Sequence, residues 1–205
     1  MTVTPVQAMA FLRSQPDLVE PDIKLQFGPF VFDPVTRGPH KRAGTVVYAN
    51  VAKPRSRGEI RLRSTNPADA PVIDHRLLGD PGDVAALIAG LKAVDRIYRS
   101  PSFARHLQGR IFPVEPPADD HSWEQHVRNT AGIGYHPVGT CRMGDDARAV
   151  LDPQLRVRGT QGLRVVDASI MPTLISGNTA APSAMIGEKA ADLIRADNQV
   201  GARAA

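Results

Sequence analysis

The sequence predicts an α+β fold: an antiparallel sheet backed by helices, followed by a strand–helix segment near the C-terminus. Three observations carry this. Residues 22–27, 45–51 and 59–64 are short runs that either alternate polar and apolar residues or are rich in β-branched ones. Such strands expose one polar face each, which suits an antiparallel sheet. Val84, Leu87, Ile88, Leu91, Val94 and Tyr98 recur at three- and four-residue spacing, the pattern of an amphipathic helix laid on a sheet. Residues 163–195 read as strand, glycine-containing loop and helix. With 42% apolar residues, a chain of 205 can offset its conformational entropy and build one sizeable domain or two small ones.

Taken in order, residues 1–45 are irregular, because Pro16, Pro21, Pro29, Pro34 and Pro39 interrupt any long helix. Within them, Asp22-Ile-Lys-Leu-Gln-Phe27 alternates as a half-buried strand. Thr45–Val51 is β-branched and reads as a second strand. Pro54-Arg-Ser-Arg-Gly58 reads as a turn, so 45–64 is expected to form a hairpin closed by Glu59-Ile-Arg-Leu-Arg-Ser64. Asp80-Pro81 is a capping residue followed by a proline suited to the first helical turn, and that helix ends before Pro101. Residues 122–129 read as a shorter helix with Ser122 as its cap. Leu163–Ala168 reads as a strand and 183–195 as the final helix, with a frayed tail after Asn198.

Composition excludes several classes. No apolar stretch reaches the ~20 residues that span a bilayer. The N-terminus lacks the basic start and apolar core of a signal peptide. Cys141 is the only cysteine, which rules out an internal disulfide and fits a reducing compartment, here taken as the cytoplasm. The formal charge of +4 is scattered, and the densest basic run, Arg55, Arg57, Arg61 and Arg63, is broken by Glu59. Without a concentrated basic face or a recognition element, nucleic-acid binding is not expected. His121 and His126 lack a third ligand at sensible spacing, so no metal site is expected.

Two clusters can carry chemistry. In Gly134-Tyr-His-Pro-Val-Gly-Thr-Cys-Arg-Met-Gly144, one histidine sits between glycines with a proline fixing the backbone after it. His136 could take a proton near neutral pH, or it could be an ordinary loop histidine held in a turn. In Ser176-Gly-Asn-Thr-Ala-Ala-Pro182, a loop feeds a helix N-terminus, where free N–H groups and the dipole favour electron-rich ligands. The plainer reading of this loop is a simple cap. Cys141 invites a thiol-nucleophile reading, but neither an acidic orienter nor an oxyanion motif accompanies it, so it reads as a packed small residue. A hydrolase built on Cys141 or Ser176 is the weakest alternative.

Four ordered motifs, His136–Gly144, Val150-Leu-Asp-Pro153, Leu163–Pro172 and Gly177–Pro182, resemble the C-terminal part of the glucose-methanol-choline (GMC) flavoprotein oxidoreductases. Their choline dehydrogenase-like alcohol dehydrogenases are the most similar group. Pro54–Gly58 with Ile60–Ser64, and the region from Phe11 to Phe27, match as well. The Gly-x-Gly-x-x-Gly motif with which such enzymes hold the ADP part of FAD is absent, so the chain resembles the second half of a longer enzyme.

The resemblance implies oxidation of an alcohol, with the hydroxyl proton removed by a base and hydride passed from carbon to the flavin of FAD. It implies that His136 is that base and that Asn178, where the family uses His or Asn, orients the substrate oxygen. Asp167 and Ala168 match the segment alongside the cofactor, though Asp167 could equally cap the turn that follows it. Asn178, Thr179 and Pro182 match the part facing the flavin's pyrimidine edge. In these terms residues 1–135 form a substrate-binding part, 136–198 the catalytic loop and the segment belonging to the FAD-binding domain, and 199–205 a tail. A small alcohol is the implied substrate. The missing half, or a second copy of the chain, would cover the apolar surface left by absent sheet neighbours. The alternative is a GMC-like accessory or interaction domain that holds no flavin.

Overall fold

A computed structural model describes residues 5–32 and 38–204, with backbone alone from 200 onward. Pro34 and the first four residues of the N-terminal reading lie outside it. The strands are β1 (Ala8–Leu12), β2 (Ile23–Gly28), β3 (Val46–Val51), β4 (Glu59–Arg61) and β5 (Val72–Asp74). The helices are α1 (Pro81–Arg99), α2 (Pro101–Ala104), α3 (Asp120–Thr130) and α4 (Ala180–Ala204), with a 3-10 turn at Ala168–Ile170. The architecture is α+β. No helix among the described residues is long and apolar enough to cross a membrane.

The chain divides into two compact units, residues 1–58 with 75–132, and 59–74 with 133–205. The 59–74 ribbon thus joins the second unit, whereas a division at 135 would leave it in the first.

In the first unit β1, β2 and β3 form an antiparallel sheet in that order. Ile23 pairs with Val51 and Gly28 with Val46, so β2 is central. The expected hairpin of 45–64 does not form. Glu59–Arg61 pairs with Val72–Asp74 in a separate two-stranded ribbon, and β1 supplies the third strand of the main sheet instead. The reason is pairing: β2 offers β3 a six-residue ladder, which a turn at 54–58 followed by a three-residue strand cannot match.

Helix α1 covers this sheet as its spacing predicts. Asp80 caps it, accepting from the Gly82 N–H at 2.7 Å, and Pro81 stands in its first turn. Gly90 allows close approach, since a Cβ there would come within 3.0 Å of Ile23 and 3.3 Å of Ala49. Ile23, Leu25, Ala86 and Val94 form the buried core between the layers, and each fully buried aliphatic side chain contributes roughly 1.5–3 kcal/mol. Helix α3 packs beside α1 through buried Trp123 and Val127. Its cap is Asp119 rather than Ser122, which closes the capping box from the third helical position. His126 lies half-buried against Phe112 and Trp123, and that burial pushes its imidazole pKa below the usual range.

The Pro54–Gly58 turn is anchored by Asp83, a buried carboxylate in the first turn of α1. It accepts from the Arg55 N–H at 2.8 Å, the Ser56 N–H at 2.8 Å and the Ser56 hydroxyl at 2.5 Å. Ser56 Oγ in turn accepts from the Asp80 N–H at 3.1 Å. Replacing Asp83 with Ala strips the acceptor from two backbone donors, so Asp83→Ala is expected to destabilise the chain by about 1–3 kcal/mol. Urea unfolding of both proteins checks this, and a midpoint unchanged at equal slope would dismiss the anchor.

In the second unit the core is Leu151, Leu155, Ile170, Met171, Ile186 and Ala190. The expected strand 163–168 is absent. Arg164 makes a single bridge to Arg156, and the chain then turns into the 3-10 element. β-Branched residues fit a strand, but a ladder needs a neighbour, and within this unit that stretch has one bridge. Helix α4 is longer than the expected 183–195. It starts at Ala180, taking Pro182 into its first turn, and its backbone continues through the expected tail to Ala204. Alanines and i,i+3 pairing of Arg195 with Asp192 sustain it, and beyond Ala190 it contains no proline.

Candidate functional site

Three loop segments of the second unit meet at the start of α4. Val138, Cys141 and Met143 of the histidine loop pack on the unit's core, to which Ile170, Met171 and the α4 residues Ile186 and Ala190 belong. Two backbone bonds lock the histidine loop to the 3-10 turn, Cys141 N–H to Ser169 O at 3.1 Å and Met143 N–H to Ile170 O at 2.9 Å. Gly139 permits this course, because its φ of +90° is a backbone conformation that residues with a side chain rarely adopt. Downstream, Arg142 grips Asp146 with both arms of its guanidinium at 2.8 and 2.6 Å. That hydrogen bonding, with help from the Arg148 N–H, holds the Asp146 carboxyl far below the usual carboxylate range.

His136 leaves this frame half-buried. Its Nδ1 lies 2.8 Å from the Thr179 hydroxyl and 3.4 Å from the Thr179 amide nitrogen. The two residues are 43 apart in sequence, so loop and helix start are brought together by the common core. Just before His136, Tyr135 is 78% exposed and holds φ 60°. A non-glycine residue in the left-handed region costs about 1–2 kcal/mol, and such strain collects at functional sites.

Thr179 is buried and occupies the cap position of α4, where its carbonyl accepts the first helical bond from Ser183 N–H at 3.0 Å. The Ser183 hydroxyl binds the same carbonyl at 2.6 Å. Asn178 is exposed immediately before it, and Pro182 is half-buried inside the first turn. At that terminus the Ala180 and Ala181 N–H groups have no helical partner, because a helix leaves its first donors unpaired. Asp167 is exposed and caps the 3-10 turn, its carboxylate accepting from the Ser169 N–H at 2.7 Å. Ala168 follows, half-buried.

Of the residues singled out from sequence, His136, Thr179, Asn178 and Pro182 therefore share one neighbourhood, with Asp167–Ala168 tied to the histidine loop through the backbone of Ser169 and Ile170. The pairing of Thr179 with His136 was not anticipated; the one local signal near it is Pro182, three residues after Thr179, which removes one of the two usual partners of a capping hydroxyl. Cys141 is a partly buried core neighbour, as a packed small residue should be. A separate groove beside α4, lined by Met143, Leu155, Ile170, Met185, Leu193 and Lys189, is mostly apolar. Among the described residues no cluster of three or more His, Cys, Asp or Glu could hold a metal ion.

This geometry couples an imidazole to a helix start, and comparison with known proteins decides its kinship. The family model for GMC oxidoreductases matches residues 54–187. The chain belongs to the GMC oxidoreductase family. It is 41% identical over 194 residues to an alcohol dehydrogenase [acceptor] of Pseudomonas putida, covering 95% of this chain and 35% of that protein. It is 38% identical over 192 residues to a choline oxidase of Arthrobacter globiformis, covering 90% and 35%. Among solved structures, pyridoxine 4-oxidase from Mesorbium loti superimposes with a TM-score of 0.83 at 27% identity, over 92% of this chain and 37% of its own. The chain thus spans about a third of the length of the relatives it matches.

The donor set fits the electron-rich edge of a flavin. The first N–H groups of α4, the positive end of its dipole and the Asn178 amide are the groups such an edge would meet. An aromatic platform or a pyrophosphate cradle is not among them.

Proposed function

We propose that this chain is the catalytic C-terminal portion of an FAD-dependent oxidoreductase that converts a CH–OH donor to the carbonyl compound. The observation that carries the proposal is His136, seated by Thr179 at the N-terminus of α4 with Asn178 adjacent. FAD, when bound, supplies the two-electron acceptor for the hydride that leaves the carbinol carbon. His136 takes the hydroxyl proton at Nε2, the ring nitrogen that Thr179 does not engage. Asn178, an amide that cannot serve as a strong base, orients the substrate oxygen. Asp167, Ala168, Asn178, Thr179 and Pro182 border the cofactor, and the α4 dipole favours the negative charge of a reduced flavin. Residues 1–135 furnish the substrate-binding part and 136–198 the catalytic loop and flavin-facing segment. The names of the alcohol dehydrogenase and choline oxidase relatives support a small alcohol as substrate. The single free Cys141 supports a reducing compartment such as the cytoplasm.

Most contacts to the cofactor would come from an N-terminal FAD-binding half, since the chain carries no dinucleotide-binding glycine motif. The 205-residue chain is therefore expected to bind FAD weakly when titrated alone. Mixed with an N-terminal half, it should yield a yellow complex whose flavin is bleached anaerobically by a small alcohol such as choline. Sub-micromolar FAD affinity of the chain alone would overturn the division of labour. A flavin-loaded complex that no alcohol reduces would overturn the catalytic reading in favour of an accessory domain.

A further inference from the structure

We infer that the flavin-free chain holds its base switched off by an autoinhibitory contact, the hydrogen bond from the Thr179 N–H to His136 Nδ1. That bond leaves the ring proton on Nε2, and it has to open before Nε2 can receive the proton of an alcohol. The inference rests on the reading of His136 as the base.

A backbone amide can only donate, so the nitrogen it meets must offer a lone pair. The Thr179 N–H donates to Nδ1 across 3.4 Å, and Nδ1 is therefore the bare nitrogen of the ring. The Thr179 hydroxyl, 2.8 Å from the same atom, is compatible with either tautomer and does not oppose this assignment. The helix acts in the same sense. Thr179 stands at the start of α4, whose positive end favours a lone pair over a proton on the atom facing it. A neutral imidazole has one ring proton, and here it sits on Nε2. In that form the ring offers the site a donor and no base.

Base catalysis needs the opposite tautomer, with Nε2 bare. A proton placed on Nδ1 would face the Thr179 N–H, donor against donor, so the amide contact cannot persist through that change. Two features make it a contact that opens readily. At 3.4 Å it is longer than an ordinary N–H···O bond, which spans about 2.7–3.2 Å. The backbone leading into His136 is also strained, since Tyr135 holds φ 60°. Tyr135 is 78% exposed, and among the described residues no hydrogen bond or ring contact of its side chain offsets that strain. A shift of the loop can therefore release both. The start of α4 is where the electron-rich edge of a flavin is expected, so the amide that holds Nδ1 stands among the donors such an edge would draw on. Assembly of the complex and arming of the base are thereby coupled.

The test is direct observation of the ring nitrogens by solid-state NMR of the 205-residue chain labelled with ¹³C,¹⁵N-histidine, at a pH well above the ordinary histidine range. The His136 signals are assigned by their disappearance in His136→Gln. In the chain alone, Nδ1 should appear as the bare nitrogen and Nε2 as the proton-bearing one. Thr179→Val, which loses the hydroxyl and keeps the amide, should leave this pattern unchanged. In the flavin-loaded complex, with only this chain labelled, the two signals should exchange character, with Nε2 shifting to the bare position. A chain that carries the proton on Nδ1 would overturn the inference by itself, even were Thr179→Val to unfold. A folded Thr179→Val with the pattern reversed would overturn the role of the amide. So would a flavin-loaded complex that alcohol reduces while His136 keeps its proton on Nε2. Failure of the base reading is separable: the tautomer would change on flavin loading as expected, yet His136→Gln in the complex would keep its rate of flavin reduction.

Discussion

His136→Ala, in the complex reconstituted with an N-terminal half, is expected to slow flavin reduction by alcohol roughly 10²–10⁴-fold while leaving FAD bound. In energy this is about 2.7–5.4 kcal/mol of lost transition-state stabilisation. The expectation follows from position as much as chemistry. The residue before His136 is strained, the residues after it pack on a core, and its ring is tied to Thr179, so the imidazole is held rather than free to swing. Because the loop is fixed chiefly by Val138, Cys141 and Met143, truncating the ring removes the proton acceptor without dissolving the loop. FAD retention, read from the absorbance of the purified complex, separates loss of chemistry from loss of cofactor. Rapid-mixing measurements of flavin bleaching give the rate. Reduction within a few-fold of the wild type would remove His136 from the mechanism.

The parts of the fold that sequence could disclose are those specified locally. Helix α1 announces itself, since Asp80, Pro81 and the apolar stripe are all read within one segment and tertiary packing agrees with them. Strands β2 and β3 are equally plain, but their partners are not. Pairing is a contest between segments distant in sequence, and the nearest segment lost. Strand β1, Ala-Met-Ala-Phe-Leu, has neither alternation nor β-branching, and it is a strand because β2 offers it an edge. Leu163–Ala168 shows the converse, a good strand sequence with one bridge for a ladder.

The site divides in the same way. The histidine loop and the Gly177–Pro182 loop are legible because glycine and proline restrict what the backbone can do. That His136 and Thr179 touch is not legible, because the contact depends on a core of Leu151, Ile170, Met171 and Ile186 drawn from three separate segments. Asp83 is hidden for a similar reason. An acidic residue in the first turn of a helix needs no explanation beyond the dipole, yet here it also receives the Arg55–Ser56 turn.

Asn178→Asp is expected to lower the midpoint potential of the bound flavin and to slow its reduction by alcohol on the order of 10²-fold. Asn178 is exposed one residue before the cap of α4, so the change creates no buried charge. A carboxylate at a helix N-terminus is favoured by the dipole and stays ionised at neutral pH, so the helix itself is not weakened. The penalty arises when the flavin gains negative charge on reduction. Two like charges ~5 Å apart at an effective dielectric of ~20 repel by about 3 kcal/mol, which is the size of the expected rate loss. Asn178→His is the control. It keeps a hydrogen-bonding group without adding negative charge, and it should leave the potential nearer the wild-type value. Spectroelectrochemical titration and anaerobic stopped-flow measure the two quantities on the same complexes. If Asn178→Asp leaves both the potential and the rate unchanged, Asn178 does not face the flavin, and the start of α4 is not the flavin-facing edge of the site.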